Sequence, residues 1–81
     1  MIYEVKLFAR ARDLVGAEAV RVELPDSQTV GELRRRLASE WPALAGLLQR
    51  SAIAVDGEFA GDGLLLSAAA EIAVLPPVSG G

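Results

Sequence analysis

The residues with the clearest chemistry lie at the end of the chain, Leu75-Pro76-Pro77-Val78-Ser79-Gly80-Gly81. Pro76 and Pro77 fix φ and have no N–H to donate, so a sheet ladder is expected to stop there and the chain to leave in an extended, polyproline-like direction. Six extended residues reach about 20 Å at roughly 3.3 Å each, enough to thread from a folded surface into a partner's active site. Gly80 and Gly81 have no Cβ, so the last peptide planes can pass a narrow channel, and Gly81 offers an unhindered α-carboxylate. A carboxylate becomes electrophilic once an oxygen is made a leaving group, usually by attack on ATP to give an acyl-adenylate. A sulfide, thiol or amine can then capture the acyl group. The plainer alternative is a frayed, inert Gly-Gly end.

The rest of the composition removes competing chemistries. The chain has no cysteine and no histidine, so disulfides, thiolate metal sites, a cysteine nucleophile, an imidazole base and an ordinary zinc site are all excluded. No metal is therefore expected. Net charge is −3 and the sequence pI about 4.8, which argues against nucleic acid as a partner. Arg34-Arg35-Arg36 is the one basic run, and consecutive helical residues diverge, so it reads as a solvated helix face. No apolar run approaches the roughly 18 residues of a membrane span and the start lacks signal-peptide form, so the expectation is a soluble, cytoplasmic protein. Asp13, Asp56, Glu58 and Asp62 read as turn and surface carboxylates, because a paired acid/base site needs a cleft that so small a fold rarely has.

The elements that must position the tail follow in order. Eighty-one residues make one domain, able to bury about 60 % of its unfolded surface. With 52 % apolar but only 5 % aromatic residues, its core must be aliphatic. Tyr3 to Ala9 alternates, with Tyr3, Val5 and Leu7 on one face and Glu4, Lys6 and Phe8 on the other, which predicts a first strand with Phe8 pointing outward. Ala11 to Gly16 reads as a short helical turn closed by Gly16. Val20 to Leu24 predicts a second strand. Thr29 and Glu32 have capping-box spacing and open a stripe of Val30, Leu33, Leu37 and Trp41, predicting a helix from Val30 to about Glu40 that Pro42 ends. Trp41, at the end of that stripe, is expected to pack in the core. Pro42 to Gln49 predicts a second short helix, and Ile53 to Phe59 a hairpin turned at Asp56-Gly57. Asp62-Gly63 marks a further turn, and Glu71 to Leu75 is the final strand. In it Ile72 and Val74 share one face, which leaves Glu71, Ala73 and Leu75 on the other.

This order fits an α+β fold, the β-grasp or ubiquitin-like arrangement, in which a mixed sheet of about five strands carries one main helix on one face. The first and last strands are expected to lie parallel at its centre. The division expected is a β-grasp domain over residues 1–75 and an extended tail over 76–81.

At this point the chain resembles a known family, the small subunit of molybdopterin synthase, a ubiquitin-like sulfur carrier. The resemblance spans the whole chain. Phe8-Ala9-Arg10-Ala11-Arg12-Asp13-Leu14-Val15-Gly16 resembles the family's Phe-Ala-x-x-Arg-acidic-Leu-x-Gly segment, and the capped helix, the Ala-Val-Asp-Gly-Glu hairpin and the Pro-Pro-Val-Ser-Gly-Gly end complete it. Two positions depart. Ala69-Ala70 stand where the family usually has Gly-Asp, and Asp56 where it commonly has Asn.

The resemblance implies that no cofactor is bound. Gly81 is adenylated with ATP by a ubiquitin-activating-type enzyme, then converted to a thiocarboxylate by a sulfur-delivery protein. The tail, Pro76, Pro77, Val78, Ser79, Gly80 and Gly81, enters the large subunit of the synthase and donates sulfur to cyclic pyranopterin monophosphate, giving molybdopterin. Catalytic groups belong to that partner, with which the family forms a heterotetramer. Phe8, Phe59 and Leu75 match the family's docking positions, so they are expected to form one patch, rimmed by Arg10 and Arg12, that serves both the activating enzyme and the large subunit. The bland reading of Phe8 is a gap filler under the short helix. Rival functions are a carrier of the same fold for thiamine, tRNA thiolation or cysteine, a ubiquitin-like protein modifier, and a plain interaction domain with an inert tail.

Overall fold

Alternation at the start of the chain becomes β1 (Ile2–Leu7), in which Tyr3, Val5 and Leu7 are buried and Ile2, Glu4 and Lys6 are exposed. The computed structural model describes residues 1–77. β1 ends two residues earlier than the alternation predicts. Ala9 takes φ +50°, a left-handed conformation that strains any residue with a Cβ and turns the chain sharply out of the sheet. The turn leads directly into α1 (Ala9–Val15), which ends on Gly16 at φ +79°, with Gly16 N–H donating to Arg12 C=O at 2.7 Å. β2 (Ala19–Glu23) then returns antiparallel to β1.

α2 (Val30–Glu40) starts and stops where the pattern places it. Val30, Leu33 and Leu37 are all fully buried, and at roughly 1.5–3 kcal/mol for each large apolar side chain they outweigh the approximately 1 kcal/mol that Gly31 costs a helix. Gly31 has its own reason. A Cβ there would sit 3.3 Å from both Cβ and O of Asp62, whose carbonyl accepts the Gly31 N–H at 2.9 Å. The loop around residues 61–66 lies against the start of α2 and satisfies donors that a helix otherwise leaves open, since Val30 N–H also donates to Leu64 C=O. Thr29 Oγ1 accepts from Glu32 N–H at 3.2 Å, which is one half of a capping box. The other half is given up, because the Glu32 carboxylate turns to Arg35 instead. At the far end Trp41 leaves helical geometry ahead of Pro42 and packs, partly buried, against the core.

The Arg34-Arg35-Arg36 run departs from the solvated face expected of it. Arg34 is a clamp: its guanidinium donates to Asp62 Oδ1 at 3.1 and 3.2 Å, to Ser51 C=O at 2.8 Å and to Leu48 C=O. It thereby joins α2 to the 61–66 loop and to the end of α3 (Ala45–Leu48), which a 3₁₀ turn at Pro42–Leu44 precedes. Sequence spacing could not reveal this, because its partners lie 14 to 28 residues away. Arg35 and Arg36 are exposed as expected.

β3 (Ala52–Val55) and β4 (Glu58–Ala60) form the hairpin, with Asp56 at φ +52° and Gly57 at φ +83°, the two positive angles a tight primed turn requires. β5 (Ile72–Leu75) completes a five-stranded sheet in the order β2-β1-β5-β3-β4. β5 runs parallel to β1 and antiparallel to β3, so the last strand lies at the centre of the sheet. Its start is tied to the hairpin turn: Asp56 N–H donates to Glu71 C=O at 2.8 Å, and Asp56 Oδ1 accepts from Glu71 N–H at 2.9 Å. The inner face of the sheet packs on α2, burying Tyr3, Val5, Leu7, Ile53, Ile72 and Val74 with the helix stripe in one aliphatic core. This is the β-grasp arrangement.

Candidate docking face and tail exit

The helices take only one face of the sheet, so side chains of opposite parity are left on the other. The strand register fixes which of them are neighbours. Phe59 of β4 lies opposite Ala54 of β3, Ala54 opposite Ala73 of β5, and Ala73 beside Lys6 of β1. One row further along, Leu75 lies opposite Ala52. Leu7 pairs with Val74, and continuing that parallel register by one residue sets Phe8 beside Leu75. The parity prediction for Phe8 and Leu75 therefore holds in detail. Phe8 is 44 % exposed and does not fill a gap beneath α1, while Phe59 is 78 % exposed.

Phe8 and Leu75 come together, whereas Phe59 stands apart. Three strand spacings of about 4.8 Å separate β1 from β4, so the two phenylalanines bracket a strip of about 14 Å. Sequence reasoning missed what fills that strip. Ala52, Ala54 and Ala73 are small residues that leave a low apolar floor between two aromatic posts. The signal was present in the period-two spacing of Ala52 and Ala54 opposite an outward Phe59, but alanine carries no strand preference to draw notice.

The two rim arginines separate. Arg12, in the last turn of α1, lines a groove together with Phe8, Lys6, Glu4 and Glu18. Arg10 is exposed on the same helix but does not line that groove. Beyond Phe8 the outward face of β1 is charged, with Glu4 directly opposite Arg21 of β2. On the opposite side of the molecule Glu32, by hydrogen bond and charge, holds the Arg35 guanidinium above its ordinary pKa. No cluster of three or more acidic side chains that could hold a metal occurs among the described residues.

The tail begins at the edge of this face. β5 stops at Leu75, and Pro76 and Pro77 follow outside any ladder. Because β5 is central and parallel to β1, the chain leaves beside Phe8 rather than from a sheet margin. Val78, Ser79, Gly80 and Gly81, expected to be the inserting and reacting residues, lie outside the described residues.

The ThiS family matches residues 5–81. The chain belongs to the ThiS family. Within it, the chain is 41 % identical over 80 residues to the molybdopterin synthase sulfur carrier subunit of Caenorhabditis briggsae, covering 96 % of this chain and 95 % of that one. The crystal structure of SAMP1 from Haloferax volcanii superposes with a TM-score of 0.88 at 32 % identity and full coverage of both chains. A chain from the complex of subunits 1 and 2 of molybdopterin-converting factor from Helicobacter pylori matches at a TM-score of 0.70 and 27 % identity, again over the whole of both. The resemblance to the small subunit of molybdopterin synthase agrees with these relatives, and the β-grasp sheet with the fold of SAMP1. No helix among the described residues is long and apolar enough to cross a membrane.

Proposed function

We propose that this protein is the sulfur carrier of a molybdopterin synthase. Gly81 is adenylated on its carboxyl group with ATP by a ubiquitin-activating-type enzyme. A sulfur-delivery protein then replaces AMP to give a thiocarboxylate. The charged tail enters the large subunit in the cytoplasm and gives its sulfur to cyclic pyranopterin monophosphate. The carrier contributes docking and reach, and the partner contributes catalysis.

The observation that carries this reading is the placement of the tail exit beside an apolar face with no helix on it. Phe8 and Leu75 lie side by side where β5 ends, and Phe59 stands across a floor of alanines. A partner that covers this face is positioned to receive the six residues that start at Pro76, about 20 Å of extended chain. Exposed aromatic anchors around a small-residue floor are the kind of surface where binding energy concentrates. Likeness to the Caenorhabditis carrier subunit and to the Helicobacter two-subunit complex supports the same partner.

Likeness to SAMP1, a small archaeal modifier protein, favours one second reading, in which a lysine amine captures activated Gly81. Both readings share the activation step and differ in the acceptor. Mass spectrometry of the C-terminal fragment, after incubation with the adenylating enzyme, ATP and a sulfur source, tests the first. Sulfur on Gly81 that is lost on adding the large subunit and pyranopterin is the expected result. Loading without discharge by that partner moves the protein to another thiolation pathway, and failure to load under conditions that load a known carrier overturns the sulfur reading. Only the fragment is informative, because Met1 oxidation adds nearly the same mass as replacing oxygen by sulfur.

A further inference from the structure

Basic residues are distributed unevenly by type in this chain: Lys6 is its only lysine, and every other basic side chain is an arginine. Only the amine is an acyl acceptor at ordinary pH, since a guanidinium stays protonated. Lys6 is also singular in position. It sits on the outward face of β1, opposite Ala73 on one side and Ala19 on the other, one row from the Phe8 and Leu75 pair. Its side chain is exposed, lines the groove shared with Phe8 and Arg12, and borders a second groove with Ile2 and Glu71. The Met1 amino group, by contrast, donates to Leu24 C=O at 2.8 Å and is partly buried.

We propose that Lys6 is the acceptor site for isopeptide linkage of this chain to a second copy of itself, and that linkage at Lys6 and docking through the Phe8 and Leu75 face exclude each other. This rests on the reading of Gly81 as an activated carboxyl end and of the outward face as the docking face. In the linking step the deprotonated Lys6 Nζ attacks the Gly81 carbonyl carbon of another copy's acyl-adenylate, which ATP and the adenylating enzyme supply. A C–N bond forms, the bond from that carbon to the phosphate oxygen breaks, AMP leaves with the electron pair, and the amine proton passes to solvent. An interface that buries Phe8 and Leu75 also covers Lys6, because adjacent rows on one face are only about 7 Å apart. A docked carrier is therefore protected from linkage, and a linked carrier has a foreign tail where its partner must sit. With a single lysine, each copy accepts at most one further copy through Lys6, so linkage through lysine side chains cannot branch.

The linkage can be tested without the activating enzyme. The full chain is prepared as a Gly81 thioester and incubated at mildly alkaline pH, with glycinamide added to a parallel sample to verify that the thioester is competent. The expected result is a two-copy product whose branched peptide maps to Lys6, reduced at least tenfold in Lys6→Arg. Linkage at the Met1 amino group, product that persists in Lys6→Arg, or capture by glycinamide with no Lys6 product overturns the proposal. Exclusion is tested by acetylating the unmodified protein with an N-hydroxysuccinimide ester, with and without saturating large subunit. Protection of Lys6 by tenfold or more is expected. A large subunit that binds while Lys6 stays fully reactive overturns the exclusion, whereas a large subunit that does not bind at all refutes the docking reading itself.

Discussion

Replacing Ala69 with glycine should stabilise this protein, although it removes a side chain and adds flexibility. Ala69 sits at φ +62°, in the left-handed region where a Cβ meets the following carbonyl oxygen. That conformation costs an L-residue roughly 1–2 kcal/mol and costs glycine almost nothing. Glycine gives back about 0.4–1 kcal/mol through the greater freedom of its unfolded chain. The side chain of Ala69 is exposed, so no packing is lost, and the net gain is about 0.5–1 kcal/mol. For a domain of this size that raises Tm by about 2–8 °C. The single tryptophan, Trp41, packs against the core and reports urea or thermal unfolding directly by fluorescence. Ala70→Gly is the control. Ala70 is buried in the core cluster and has no positive φ, so its loss should cost approximately 1–2 kcal/mol. If Ala69→Gly is neutral or destabilising while Ala70→Gly behaves as stated, the left-handed geometry carries no cost here and the reasoning is wrong.

Arg34→Met should lower stability by about 2–3 kcal/mol in urea titrations, because the apolar stem is kept but two carbonyls lose a charged donor. The pair with Asp62 contributes little to that figure, since Asp62 is largely exposed. Arg35→Met, with its guanidinium in solvent, should leave the midpoint where it is. Gly57→Ala forces a Cβ onto φ +83° and should cost roughly 1–2 kcal/mol, read from the same titration. Phe8→Ala and Phe59→Ala should each change stability little yet weaken binding to the large subunit tenfold or more by calorimetry. Unchanged binding in both would remove the docking face from the mechanism.

How far the sequence alone reached depended on the range of the interaction. α2 was legible to the residue because its cap, its stripe and its stop at Pro42 are all local signals. The hairpin was legible because Asp56-Gly57 needs nothing beyond itself to prefer positive φ. Parity placed Phe8 and Leu75 on the outward face, but only the parallel register of β1 and β5 makes them neighbours. The Arg34 clamp and the close approach at Gly31 depend on where a loop thirty residues on comes to rest, and no periodicity encodes that. Ala69 marks a subtler limit. The family resemblance flagged it as a departure, and the structure shows the backbone keeping the left-handed angle that glycine would favour even though the residue is alanine. Asp56, the other departure, keeps a role of its own, since its carboxylate caps the entry to β5.

The division between faces would let such a small domain serve unlike chemistries. Among the described residues the large buried side chains, aliphatic apart from Tyr3, belong to one core under α2, and the outward face lies outside that core. Among the described residues that face and the start of the tail meet at the end of β5. Under the proposed function, the choice between sulfur and an amine as acceptor falls to what a docked partner places at the far end of the tail. A carrier and a modifier can consequently share nearly all of their structure, as the likeness to both a carrier subunit and SAMP1 illustrates. In this chain the single lysine, Lys6, lies on that same outward face, one row from Phe8 and Leu75, so a partner that buried those two would cover it as well.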